Sequence, residues 1–193
     1  MADLTFTGLK EMQRSYAKAG RAMAAGEARA VKRVSTTIAA QQSRAIGDVL
    51  NLRIGTIKSA LTIVQQPTAA TPRVVFQVKG KGIALSDYLG TRMTKAGLSV
   101  QPIKGGKRSI LPGVFISQKL GGKAYARASK ANAKQYGTPR VGRLPIIKLY
   151  GPMVIDIYVR DDIQQVGINV WNERLEIELD RETTFALTQA GLL

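Results

Sequence analysis

Residues 161–193, DDIQQVGINVWNERLEIELDRETTFALTQAGLL, decide the fold class. At their centre LEIEL, 175–179, alternates apolar and acidic side chains as a strand does. The longer pattern is helical. Ile163, Val166, Val170, Trp171, Leu175, Leu179 and Ala186 recur at helical spacing along one stripe. Asp161 or Asp162 can cap the start, where a carboxylate also suits the helix dipole. Gly191 supplies a stop. The expectation is a C-terminal amphipathic helix over 161–193.

Upstream of it the pattern changes to strands. RVVFQVKG, 73–80, alternates around Val74, Phe76 and Val78 and ends at a glycine. From 80 to 150 the chain reads as an antiparallel sheet with long basic loops. Two strand-like runs flank IKGGKR, whose Gly105-Gly106 is a hairpin signal. A second pair, Gly121-Gly122, follows VFISQKL. AYARASKANAKQYGTPRVG, 124–142, offers little to bury and is a candidate mobile arm. RLPIIKLYGP, 143–152, is a short strand from Leu144 to Leu149, started by a proline and closed by a Gly-Pro turn. Proline at its start implies an edge position.

The N-terminal third is Ala-rich and helical. Leu9, Met12, Tyr16 and Met23, then Val31, Val34, Ile38, Ala45 and Val49, fall mostly three, four or seven apart. Gly20 and Gly26 weaken the middle, so two helices are expected, about 7–24 and 27–47, with Gly47 as a stop. NLRIGTIKSALTIV, 51–64, suits a short helix interrupted by Gly55, and QQPTAATP, 65–72, is a linker. Helices, strands, helix in that order point to an α+β fold. The organisation expected is a helical segment at 1–64, a β-rich body at 65–160 with a basic loop at 123–142, and a helix at 161–193. Together these form one structural unit.

Charge is distributed unevenly over the 193 residues. Residues 1–150 hold 26 Lys/Arg against 5 Asp/Glu, and residues 151–193 hold 3 against 8. No acid lies between Asp87 and Asp156, an interval with 13 cations. Such a field attracts polyanions. It also allows a basic body and an acidic end to meet head to tail between copies, a heterologous contact that can close a ring. Candidate DNA-facing cations are Lys104, Lys107, Arg108, Lys123, Arg127, Lys130 and Lys134, with Tyr125, Tyr136 and Tyr150 interleaved as stacking platforms. The candidate inter-subunit acidic face is Glu173, Glu176 and Glu178. With Asp180 and Glu182, these acids are spread around a helix, as on a solvated face.

Catalytic patterns are missing. The chain has no Cys and no His, which removes disulfides, thiolate metal sites and a Ser–His–Asp relay. Gly80-Lys81, Gly106-Lys107 and Gly122-Lys123 lack the earlier glycine and the following Ser or Thr of a phosphate loop. KGKG and KGGK can still hold a phosphate through backbone N–H groups, though lysine-flanked turns are the commoner use of such residues. Asp156, Asp161 and Asp162 are the candidates for paired acid–base work or Mg²⁺, but the adjacent Asp161 and Asp162 suit a helix cap with one solvated acid better. No enzyme, metal or cofactor is expected. MADLTFTGLK has an early acid and no apolar signal-peptide core, and no apolar run approaches the ~20 residues that span a bilayer. A cytosolic protein, or one passing from there into an assembly, is expected.

RLPIIKLYGP has the form Arg–x–Pro–Ile–x–x–Leu–x–Gly–Pro, which resembles the hallmark of the phage and prophage minor tail protein Z family. PGVFISQ, 112–118, is similar to the strand that precedes this hallmark, and GEARAVKRVSTTIAAQQS, 26–43, to the family's Ala-rich helix. The resemblance covers about 25–190. The chain departs from it at 123–142, which is longer and richer in Lys and Ala. The resemblance implies a structural virion protein of a tailed bacteriophage. Such a protein completes the tail late in assembly and joins it to the head, at the head-proximal end. It implies a homo-oligomeric ring compatible with six-fold symmetry, contacts with tail terminator, tube or neck proteins, and genomic DNA in the channel. It places the protein in the virion, and in host cytoplasm during assembly. The motif residues carried over are Arg143, Leu144, Pro145, Ile146, Leu149, Tyr150, Gly151 and Pro152. The alternative on residues alone is a basic protein that binds nucleic acid without sequence preference.

Overall fold

A computed structural model describes residues 9–127 and 146–192. The fold is α+β, with long helices at both ends of the chain and short strands between them. The N-terminal helix α1 is a single rod, Leu9–Val49, rather than two helices. Ala-rich composition carries it through both glycines. It also passes the expected stop at Gly47 by two residues. Just beyond it, Asn51 fastens the chain: its N–H donates to Pro102 O, its side-chain amide donates to Leu89 O and Gln101 O, and its carbonyl accepts from Leu89. Helix α2, Ile54–Ala60, includes Gly55 and runs directly into strand β1, Leu61–Gln65.

Contacts group the chain into two compact units, otherwise than the three-part division expected from sequence. The first draws on Met1–Gln41, Thr62–Gln77 and Gln165–Leu193. Its buried residues on α1 include Ala30, Val31, Val34 and Ile38, with Ser35 satisfied by donating to Val31 O. They share this interior with Glu182 and Ala186 of the C-terminal helix. β1 pairs with β2, Val75–Val78, as the alternation at 73–80 foretold.

The second unit comprises Gln42–Leu61 and Val78–Gln164. Its described strands form three small sheets, not the one sheet expected. In the first, β4 (Arg92–Thr94), β5 (Gly97–Val100) and β6 (Ser109–Leu111) run antiparallel. Leu98↔Leu111 and Val100↔Ser109 set the register around the Gly105-Gly106 loop. In the second, β7 (Val114–Ser117), β8 (Lys123–Arg127) and β9 (Ile146–Lys148) are antiparallel, with β9 at the edge. In the third, β3 (Ile83–Ala84) pairs with β10 (Tyr150–Gly151). One apolar core joins Ile46, Leu50, Ile57, Leu98, Val100 and Val154 with Ala124 and Ala126. The last two correct the reading of 124–142 as unburied: residues 124–127 are strand, and both alanines are enclosed. The rest of that candidate arm, with Leu144 and Pro145, lies outside the described residues.

Helix α3, Val154–Tyr158, is capped by Asp156, which accepts from the Met153 N–H. Helix α4, Asp161–Gln189, follows, and LEIEL is wholly helical within it. Asp162 pairs with Arg160 at 2.9 Å, and Gly191 takes a left-handed conformation at the end. Among the described residues no helix is long and apolar enough to cross a membrane.

Candidate functional site

Two clusters of charge stand out, one in each unit. In the first unit Glu182 falls between Leu179 and Ala186 on the packed stripe of α4, and its side chain is only 4% exposed. Three arginines surround it. Arg29 Nε is 2.9 Å from Oε2, Arg33 Nε is 2.7 Å from Oε1, and Arg181 is 3.4 Å from Oε1. Burial pushes the Glu182 carboxyl upward, but the hydrogen bond from Arg29, the charge of Arg33 and the hydrogen bond from Arg181 outweigh it. The net result lies below the ordinary glutamate range. Arg29 also sits 5.6 Å above the Phe185 ring. Gly26 makes this approach possible, since a Cβ there would stand 2.9 Å from Glu182 O and from Thr183 Cα. The expectation of a solvated Glu182 is therefore corrected. This carboxylate is the polar clamp between α1 and α4.

The second cluster is a cavity of about 270 Å³ in the second unit. Lys79 and Lys81, Lys123 of β8 and Lys148 of β9 line it, with the hydroxyl residues Thr56 and Ser59 of α2. Asp87 is the one carboxylate in the lining among the described residues, and Lys123 Nζ meets both its oxygens at 2.6 and 2.9 Å. Lys148 Nζ lies 5.3 Å from the centroid of the Tyr150 ring. That ring is held from behind by Gly82, where a Cβ would come within 2.8 Å of it.

The sequence-predicted DNA-facing residues divide. Lys130 and Lys134 lie outside the described residues. Arg108 is engaged inside the chain, donating to Gly90 O at 2.8 Å and to Ser99 Oγ at 3.3 Å. Arg127 stands 5.9 Å over Phe115, and Lys123 is held by Asp87. Lys104 and Lys107 are exposed, with Lys104 a loose 4.0 Å from Asp48. Of the tyrosines, Tyr125 donates to Leu120 O and packs 6.3 Å from Phe115, Tyr150 is exposed, and Tyr136 lies outside the described residues.

The motif RLPIIKLYGP also divides. Arg143, Leu144 and Pro145 lie outside the described residues. Ile146 and Tyr150 are exposed, whereas Leu149 is buried. The expected Gly-Pro turn is instead continued strand: Gly151 pairs with Ile83, and Tyr88 donates its hydroxyl to Pro152 O. On the acidic face, Glu173 and Glu176 are exposed, and Glu178 is half-buried and paired with Arg181 at 2.9 Å. At 3.6 residues per turn, exposed Asp180 and Ile177 share the outward side with Glu173 and Glu176.

Two features escaped the sequence reading. Glu182 was legible as an acid at an apolar stripe position, four before Ala186 and three after Leu179. Lys79, Lys81 and Lys148 were visible only as separate positions in a lysine–glycine run and a strand, because their meeting depends on tertiary pairing of β3 with β10. Among the described residues no group of acids is arranged to hold a metal ion. No protein family, curated protein or solved structure matches the chain.

Proposed function

We propose that the chain is a non-enzymatic structural protein of a tailed bacteriophage, acting in tail completion and head–tail joining as a ring of copies at the head-proximal end of the tail. The observation that carries the assembly part is the bare stripe at the start of α1. Met12, Tyr16 and Met23 lie in line with Ala30, Val34 and Ile38 at 3.6 residues per turn. The latter three are buried, whereas the former are 52%, 70% and 44% exposed. An apolar stripe that outruns its covering marks a contact surface. The outward acidic side of α4, with Ile177 among Glu173, Glu176 and Asp180, offers a surface of different chemistry, suited to a neighbour's basic body. Unlike surfaces of this kind favour a head-to-tail ring over a two-fold dimer. The resemblance of RLPIIKLYGP to the minor tail protein Z hallmark supports placing that ring in a tail. Its partners are then tail terminator, tube or neck proteins, and DNA in the channel. The site of action is the virion, after assembly in host cytoplasm.

The test is the mass of the particle in solution. By analytical ultracentrifugation the wild type is expected as a closed oligomer. Tyr16→Asp and the triple variant Glu173→Lys, Glu176→Lys, Asp180→Lys are each expected to sediment as monomers with unchanged helix content. A monomeric wild type, or variants that assemble equally well, would contradict the ring. The second reading, a free nucleic-acid-binding protein, is favoured by the lysine-lined cavity. It predicts DNA affinity that falls steeply with salt in a protein that does not enter virions.

A further inference from the structure

The KGKG segment at 79–82 and the Gly122-Lys123 pair match no phosphate-loop pattern, yet the fold brings their lysines to one cavity with Lys148. We infer that this cavity binds a phosphate group. Among the described residues four lysines line it against one carboxylate. Asp87 is occupied by Lys123, and among the described residues Lys79, Lys81 and Lys148 have no carboxylate within ion-pair distance. An excess of positive charge at one cavity favours an anion, and a phosphate brings up to two charges and several acceptor oxygens. A single carboxylate would leave most of that excess in place. The Thr56 hydroxyl adds a neutral donor, while that of Ser59 is given to the Thr56 carbonyl. Size narrows the ligand further. At about 270 Å³ the cavity falls just under the roughly 300–1,000 Å³ of pockets that enclose a drug-sized molecule. It suits a phosphate or diphosphate, with the remainder of any larger ligand outside.

Such a group has two sources, a nucleic-acid backbone or a free phosphorylated small molecule. The site stands independently of any place in a tail. The experiment is calorimetric titration with inorganic pyrophosphate, and fluorescence anisotropy with a labelled DNA oligonucleotide, both at low salt. Lys81→Gln/Lys148→Gln is expected to bind pyrophosphate at least about tenfold more weakly, as loss of charge-assisted hydrogen bonds implies. Lys18→Gln/Lys95→Gln, with the same change of charge on exposed lysines elsewhere, is expected to match the wild type. Asp87→Asn, which frees Lys123, is expected to bind more tightly, a gain that a folding defect cannot produce. Displacement of the oligonucleotide by pyrophosphate assigns the site to the DNA backbone. Pyrophosphate binding that leaves the oligonucleotide bound assigns it to a free ligand. No pyrophosphate binding by the wild type, or equal affinity in the two double variants, would overturn the inference.

Discussion

Glycines 20 and 26 occupy the same helix and should respond oppositely to alanine. Each substitution removes about 1 kcal/mol of helix-propensity penalty. At Gly20 a Cβ meets nothing within 4 Å, so Gly20→Ala is expected to raise the melting temperature by a few degrees. At Gly26 the same methyl strikes the backbone of residues 182 and 183, which cannot swing aside as a side-chain tip can. Gly26→Ala is expected to destabilise by about 1–3 kcal/mol despite its propensity gain. Thermal denaturation of the two variants checks the pair. Sequence showed both glycines as weak points of a helix, but only the contact with α4 separates spacer from liability. Glu182 makes a prediction in pH. Its folded-state pKa is lowered, so its contribution is complete above the ordinary value of 4.5 and is lost as pH falls through the lower folded value. Urea unfolding from pH 6 to pH 2 should show a stability decrease over that acid window that Glu182→Gln reduces. At neutral pH, Glu182→Gln should itself cost about 1–3 kcal/mol, because a neutral amide must face three guanidinium groups. An equal acid slope in both proteins would mean that the clamp is not the carboxylate.

At the scale of elements, periodicity was a reliable guide where one face packs on a continuous surface. Strand β2, the β5–β6 hairpin and α4 all lie where their patterns put them. LEIEL misleads only in isolation, since Leu175 and Leu179 are four apart and share the helical stripe while Ile177 points outward. The two-helix reading of α1 failed because a glycine weighs about 1 kcal/mol in propensity, and packing on a neighbouring helix outweighs it. The Gly-Pro turn failed because Gly151 serves another end. A Cβ there would lie 2.7 Å from the Tyr88 ring, so glycine lets β10 and Tyr88 close together. Burial, then the charges of Asp156 and Asp87, push the Tyr88 phenol upward, so it remains a protonated donor to Pro152. Tyr88→Phe is expected to cost about 1–2 kcal/mol, as a half-buried acceptor loses its partner. Denaturation midpoints measured up to pH 9 should show a constant gap between wild type and variant. A gap that closes as pH rises would contradict the protonated phenol.

For the whole molecule, the order of helices, strands and helix was legible from patterning, and so was the α+β class. The division into two units was not, because it depends on which segments share contacts. Both units draw on α1, a grouping that no linker marks. Charge was legible in amount but not in use. Arg29, Arg33, Arg108 and Lys123 contribute to the basic excess, yet each is engaged by groups of its own chain. The cations left for partners are fewer than the formal charge suggests, and Lys79, Lys81 and Lys148 are concentrated at one cavity. The proposal that the chain is a component of the upper tail rests on an exposed helix stripe and on the resemblance of RLPIIKLYGP to a tail-protein hallmark. Antibody-gold labelling of purified particles from the source strain, intact and disrupted, tests that claim most directly. Gold at the head–tail junction or the upper tail is the expected result. Particles without label after disruption, with the protein left in the lysate, would contradict it.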